Sequence, residues 1–358
     1  MQDDCFDLTA IGLNERVQTA FQPYAATGLT LGRVSVVHRD QYKIYTARGE
    51  MKAEAIGALL YRAEDASALP IVGDWVAAQL SGPDDAMIHA VLPRSTSFSR
   101  RAAGDREQQQ MIAANIDLVL IVCGLDHDFN PRRIERYLIL ARESGADAAV
   151  VLNKSDLCSD PQSRIAEVNR IARDTPVVVT CAVSAEGIGS ILPLIGAGRT
   201  VALLGSSGAG KSTLVNQLLG QERQPVQEVR ESDSRGRHTT TYRELVPLPS
   251  GGALIDTPGM RELQLWAGYD SLDSAFGDIA ELAEQCHFRD CAHGVEHGCA
   301  VQAAIQEGTL AQERWQSYQK LRAEIAFHER KTDVNAAQAQ KLRWKKIHKA
   351  MRAHKKHW

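Results

Sequence analysis

Residues Val201 to Leu218 read VALLGSSGAGKSTLVNQL, and this stretch decides the fold. A short apolar run of strand length leads into GSSGAGKS, and a helical pattern opens at Ser212, which is the context that the phosphate-binding pattern GxxxxGK[ST] requires. Gly205, Gly208 and Gly210 allow backbone conformations that a side chain forbids, so successive N–H groups of Gly205, Ser206, Ser207, Gly208, Ala209, Gly210, Lys211, Ser212 and Thr213 can turn inward around a diphosphate. Lys211 adds a point charge for the terminal phosphates, and Ser212 offers a hydroxyl to Mg²⁺. The following helix directs its positive end at the anion.

Upstream of this stretch a strand and helix rhythm begins at Ile116. IDLVLIVCG and AAVVLNKSD are apolar runs of strand length, PRRIERYLILARESG has helical spacing with Pro131 at the first turn, and Arg164 to Arg173 is a second helix. VVVTCAVSA follows as a strand and IGSILPLIG as a short helix. Alternation of this kind implies a parallel, doubly wound α/β sheet with its ligand loops at the carboxyl ends of the strands.

At one such end stands Asn153-Lys154-Ser155-Asp156. A carboxylate accepts two hydrogen bonds side by side, and guanine presents two adjacent donors that adenine lacks, so Asp156 would select GTP over ATP. Asn153 would hold the loop, the Lys154 stem would cover the base, and Ser184-Ala185 would place a backbone N–H against the guanine carbonyl. Downstream, Thr239, Thr240 and Thr241 offer the second Mg²⁺ hydroxyl, with Thr240 the favoured one. The run ALIDTPG ends in Asp256-Thr257-Pro258-Gly259, where Asp256 would hold Mg²⁺ through water and the Gly259 N–H would sense the γ-phosphate. Met260 occupies the place where many GTPases carry a Gln that orients water. A thioether does not do that, so intrinsic hydrolysis should be slow. His238 is the best replacement within the chain, its alternative reading being an ordinary surface histidine. The expected catalytic set is therefore His238, Lys211 and Thr240.

The order is inverted relative to most GTPases, because the base-reading NKSD precedes the phosphate loop. Circular permutation explains this, and it makes the segment from about Glu231 to Met260 lead directly into the C-terminal region.

The flanking regions are less explicit. Residues 1–29 read as a leader with a short helical piece. From Leu31 to about Leu92, RVSVVHR, QYKIYTARG, AIGALLYRA, DWVAAQL and MIHAVLP are short runs between Gly, Pro and Asp turns. Five short strands at this spacing fit either a closed barrel of the oligonucleotide-binding type or a generic small β-domain. The polar stretch after Pro93, with Arg94, Arg100, Arg101 and Arg106, reads as a basic linker. Beyond the nucleotide segment, Cys286, Cys291, His293 and Cys299 form a donor set suited to one structural tetrahedral Zn²⁺, with His287 and His297 as rivals for the fourth place. Trp315, Tyr318, Leu321 and Ile325 share one helix face and read as core.

The 358 residues carry a formal charge of −3, yet Lys341 to Trp358 holds eight Lys or Arg and no acid, so the remainder carries −11. That tail favours a polyanion, with ribosomal RNA preferred over a membrane surface. No run of about 18 apolar residues occurs, and the start MQDDCFDLTA lacks signal-peptide features, so the expected compartment is the cytoplasm. Seven cysteines, three of them crowded near histidines, favour metal binding over disulfides.

The permuted motif order, the barrel-like stretch before it, RGRHTTT and the Cys/His cluster after it together resemble the RsgA family of ribosome small-subunit-dependent GTPases, also called YjeQ, over roughly residues 30 to 330. The resemblance implies a GTPase that binds the small ribosomal subunit and its rRNA late in assembly, hydrolyses GTP when stimulated by it, and then leaves. It also matches the four zinc ligands at each position. The potassium-binding Asn of some related GTPases falls at Gly208, which gives no support for potassium activation. The resulting expectation is an OB-type barrel at 30–93, a linker at 94–115, a permuted P-loop GTPase domain at 116–267, a zinc-binding helical domain at 268–333 and a basic tail at 334–358. A monomer is expected, with no membrane partner. A GTP-responsive RNA-binding module, or a GTPase acting on another RNA or a membrane, is the alternative.

Overall fold

The computed structural model describes residues 6–38, 41–63, 66–101, 109–221, 243–256, 272–273, 275–294 and 296–332. The chain divides into two compact units, Met1–Gln264 and Leu265–Trp358. The first begins with helix α1 (Glu15–Ala25), capped by the Asn14 side chain. A five-stranded barrel follows, made of β1 (Thr30–His38), β2 (Gln41–Thr46), β3 (Gly49–Ala55), then helix α2 (Gly57–Arg62), then β4 (Trp75–Leu80) and β5 (Asp85–Val91). Its order is β1-β2-β3-β5-β4, and β4 returns to pair with β1, which closes it. Val34, Ile44, Met51, Val76 and Ile88 fill the interior.

Five strands are present, as the turn spacing predicts, but the third lies elsewhere. AIGALLYRA supplies mainly α2, and the third strand is GEMKAEA. There Met51 and Ala53 point inward while Glu50, Lys52 and Glu54 face out, so a clean period of two is hidden by three charged residues and a small core residue. The expected basic linker also differs. Strands β6 (Ser97–Arg101) and β7 (Gln109–Ala114) form an antiparallel hairpin, with Phe98 and Ile112 buried. Arg94 is a structural residue, its guanidinium bound to both oxygens of the buried Asp74 at 2.8 Å each.

The nucleotide-type sheet adds β8 (Leu118–Gly124), α3 (Pro131–Ser144), β9 (Asp147–Asn153), α4 (Pro161–Ala172), β10 (Val177–Val179), α5 (Leu192–Ile195), β11 (Thr200–Leu204), α6 (Lys211–Leu219), β12 (Arg243–Pro247) and β13 (Ala253–Asp256). Strands β10-β9-β8-β11-β13 are parallel and in that spatial order, while β12 runs antiparallel to β13. Residues of β8 are buried throughout, which is the pattern of a strand covered on both faces. Strand β12 also pairs with β1 of the barrel, Val36 opposite Glu244 and Val37 opposite Arg243. One continuous sheet of 11 strands therefore joins barrel and nucleotide fold.

Arg33 on β1 locks that junction. Its guanidinium is 1% exposed, lies over the Trp75 ring, and donates to the carbonyls of Gly73 at 3.3 Å, Asn115 at 3.1 Å and Ile11. Burial pushes its pKa down to about 10, against the pull of Asp117 and Asp74, so it stays charged at neutral pH. Arg33→Met keeps the bulk but strands three buried acceptors. We expect stability to fall by about 3 kcal/mol, read by urea unfolding. A loss below about 1 kcal/mol would show that these carbonyls find other donors.

The second unit contains α7 (Gly277–Ala283), α8 (Ala300–Gln306) and α9 (Gln312–Thr332). Trp315, Leu321 and Ile325 are buried along α9, as the helical spacing predicts, while Tyr318 is half-buried. Among the described residues no helix is long and apolar enough to cross a membrane.

Candidate nucleotide site and metal cluster

The carboxyl ends of β10, β9, β8, β11 and β13 line up along one edge of the sheet, and the described members of the sequence-predicted site follow or end β10, β9, β11 and β13. The phosphate loop leaves β11. Gly205, Gly208 and Gly210 all take positive φ, at 154°, 82° and 91°. A Cβ built on Gly205 would lie 2.2 Å from the Val122 carbonyl oxygen, and one on Gly210 would lie 2.1 Å from Asn153 Nδ2, so neither position accepts a side chain. Lys211 opens α6 and donates through Nζ to the Gly205 carbonyl at 2.9 Å and to that of Ser206. Ser207 and Gly208 are exposed at the loop crest, while Gly205 and Ala209 are buried beneath it. Ser212 and Thr213 are half-buried in the first turn of α6.

Asn153, at the end of β9, is 2% exposed and ties three segments together. Its Nδ2 donates to the Ala209 carbonyl at 3.0 Å, and its Oδ1 accepts from the Ala182 N–H at 3.0 Å and the Thr180 hydroxyl at 3.1 Å. The Asn153–Asp156 turn is thereby fixed directly to the Gly205–Ser212 loop. Lys154 follows with φ 64°, its ammonium 2.6 Å from Asp126. Asp156 is exposed, and its Oδ1 accepts the Cys181 thiol at 3.1 Å. Ser184 and Ala185 lie farther along the same turn, both exposed, Ala185 at φ 60° and the Ser184 hydroxyl donating to the Cys181 carbonyl at 3.4 Å. Asp256 ends β13, beside β11. His238, Thr239, Thr240, Thr241, Gly259, Met260 and the basic tail lie outside the described residues.

In the second unit the ligand atoms of Cys286, Cys291, His293 and Cys299 all lie within 4.8 Å of one another. Cys286 Sγ is 3.4 Å and Cys299 Sγ 3.5 Å from His293 Nδ1, and the two sulfurs are 3.9 Å apart. A tetrahedral ion with metal–sulfur bonds of about 2.3 Å and a metal–nitrogen bond of about 2.0 Å sets ligand separations of roughly 3.5–3.8 Å. The donor set fits such an ion. Burial pushes the Cys291 thiol up to about 11, assisted by the neighbouring cysteines, whereas in Cys286 the opposing effect of burial is outweighed by the N–H groups of Ala300 and Val301. A cation bound between the three sulfurs would favour their thiolate forms. The His293 ring packs edge-on to Trp315, and its carbonyl accepts from Gln302 at 2.7 Å. His287 is exposed and packs edge-on against Phe288, and neither it nor the exposed His297 joins the converging group.

Residues 91–266 match the family described as RsgA GTPase. Over 356 residues the chain is 49% identical to the small ribosomal subunit biogenesis GTPase RsgA of Opitutus terrae, covering 97% of each. It is 44% identical over 321 residues to small ribosomal subunit biogenesis GTPase RsgA 2 of Lactiplantibacillus plantarum, covering 90% of each. This chain belongs to the RsgA GTPase family. Two solved structures share the fold: YjeQ from Thermotoga maritima, with TM-score 0.64 at 24% identity over 83% of this chain and 99% of that one, and YloQ, a circularly permuted GTPase, with TM-score 0.61 at 22% identity over 84% and 96%. The permuted α/β fold with its N-terminal barrel is therefore that of RsgA GTPases.

Within this RsgA fold, Thr180, Cys181 and Ala182 touch the Asn153–Asp156 turn and were missed in the sequence. The signal was Thr-Cys-Ala directly after the strand VVV, a hydroxyl and a thiol at its carboxyl end. Asp126 and Asp128, on the loop leaving β8, were also missed. Two aspartates within three residues at a strand's carboxyl end were the available sign.

Proposed function

We propose that this protein is a GTP hydrolase that acts on the small ribosomal subunit during its assembly, binding the subunit and its rRNA, hydrolysing GTP under the subunit's stimulation, and departing with GDP. The observation that carries this reading is the direct bonding of the Asn153 side chain to the phosphate loop and to the Thr180–Ala182 turn, in a chain whose relatives bear the name small ribosomal subunit biogenesis GTPase. Asp156 takes the two adjacent donors of guanine, and the Lys154 stem covers the base. The Ser184-Ala185 turn places a backbone N–H against the guanine carbonyl oxygen. The amides of Gly205 to Thr213 and the Lys211 ammonium receive the phosphates. Ser212, Asp256 and Thr240 would hold Mg²⁺, which neutralises charge developing on the terminal phosphates. Gly259 senses the γ-phosphate. His238 orients the attacking water, because Met260 has no group for it.

Cys286, Cys291, His293 and Cys299 hold one structural Zn²⁺, closed to substrate because all four positions are taken by the chain. The barrel and the Lys341–Trp358 tail face rRNA, and the protein works as a cytoplasmic monomer. Phosphate release measured with and without purified small subunits tests the reading. Stimulation of at least about tenfold is expected, since a partner that completes an unfinished GTPase site acts on the chemical step. Subunit binding without stimulation would instead favour a GTP-responsive RNA-binding module, and neither binding nor stimulation would point to another RNA or a membrane.

A further inference from the structure

Strand β8 lies between β9 and β11, so the loop that leaves it sits between the base-reading turn and the phosphate loop. That loop carries two carboxylates with different partners. Asp126 is nearly buried. Its Oδ2 accepts the Lys154 ammonium at 2.6 Å and its Oδ1 accepts the Asp128 N–H at 3.0 Å. A Cβ on Gly124 would stand 2.7 Å from Asp126 Oδ1, so the glycine makes room for the carboxylate to fold back. Asp128 accepts Arg133 of α3 at 2.6 Å and the hydroxyl of Ser206 in the phosphate loop. Lys154 itself is a non-glycine residue in the left-handed region, a strained conformation that needs support from its surroundings.

We propose that Asp126 is a positioning residue for guanine-nucleotide binding: it clamps the Lys154 ammonium so that the lysine stem stands as a preset wall at the base end of the pocket, while Asp128 on the same loop steadies the phosphate loop through Ser206. The inference rests on the reading of Asn153–Asp156 as the guanine reader. A lysine stem ordered before binding spares the nucleotide the entropy of ordering it, and a neutralised ammonium is not drawn toward the phosphates. Burial raises the Asp126 carboxyl, but the Lys154 ammonium and the Asp128 N–H outweigh it and leave its pKa lowered, so the clamp is charged at neutral pH.

The test is a double-mutant cycle on the full chain, using Asp126→Asn, Lys154→Met and the pair, with calorimetric titration of GTP, GDP and ATP beside steady-state turnover. Asp126→Asn is expected to weaken GTP and GDP alike by about tenfold and to raise KM by the same factor, with kcat at saturating GTP held within about twofold. In the Lys154→Met background the same change should add less than about twofold, because its partner is already gone. Asp126→Glu keeps the charge and is expected to recover most of the affinity, which separates clamping from folding should Asp126→Asn lower the melting temperature. Additive losses in the double variant, unchanged affinity in Asp126→Asn, or a fall in kcat without a change in KM would each overturn the inference. Wild-type protein that binds ATP as well as GTP would overturn the guanine reading instead.

Discussion

Lys211→Ala should lower GTP turnover by about 10³-fold or more and weaken GTP binding by about 10²-fold, measured as phosphate release and by direct titration. The cause is local. The ammonium sits on the Gly205 and Ser206 carbonyls at the start of α6, inside the turn whose glycines at positive φ leave no room for another side chain to enter. Backbone N–H groups and the helix end supply partial charges only, so they do not replace a full positive charge beside the terminal phosphates. Among the described cations of this edge, Lys154 is already paired with Asp126 and Arg133 with Asp128. Turnover retained within about tenfold would remove the phosphate-loop role assigned to Lys211.

Cys286→Ala should empty the metal site and unfold the second unit, with zinc content falling from one per chain to none and the near-ultraviolet signal of Trp315 lost. Cys286 touches His293 and Cys299 and accepts N–H groups at the start of α8, so its thiolate joins three parts of the cluster. Helices α7 and α8 have seven residues each, too short to persist alone. Structural zinc contributes about 10–16 kcal/mol at neutral pH, against a net stability of about 5–15 kcal/mol for a whole domain. A strong chelator should reproduce the effect in the unmutated chain. A Cys286→Ala protein that keeps one zinc and its melting transition would contradict the assignment.

What the sequence made legible is what single residue types make unavoidable. GSSGAGKS can be read because only glycine tolerates φ of 154° against the Val122 carbonyl, and the Cys/His cluster because few other roles require three thiols and an imidazole so close together. What stayed hidden depends on partners distant in the chain. Arg94 looks like a solvated linker residue until Asp74 appears beneath it, twenty positions earlier, and Arg33 gives no sign of holding carbonyls at Ile11, Gly73 and Asn115. Strand β3 hides because its core face is Met51 and Ala53 among charges, and β12 because it is five residues with half-buried ends. Cys181 escaped notice because a thiol does a hydroxyl's work there, and Asp126 because its meaning lies in a strand order that places β8 between β9 and β11.

The most direct measurement is titration of GTP and ATP into the purified protein with magnesium, wild type beside Asp156→Ala. The proposed guanine-selective pocket at the carboxyl ends of β9, β10 and β11 requires GTP to bind at least about 10²-fold more tightly than ATP, since a site built for two particular donors rejects a base that lacks them. Asp156→Ala should erase most of that difference. Equal affinity of the wild type for the two nucleotides, or selectivity that survives Asp156→Ala intact, would contradict it.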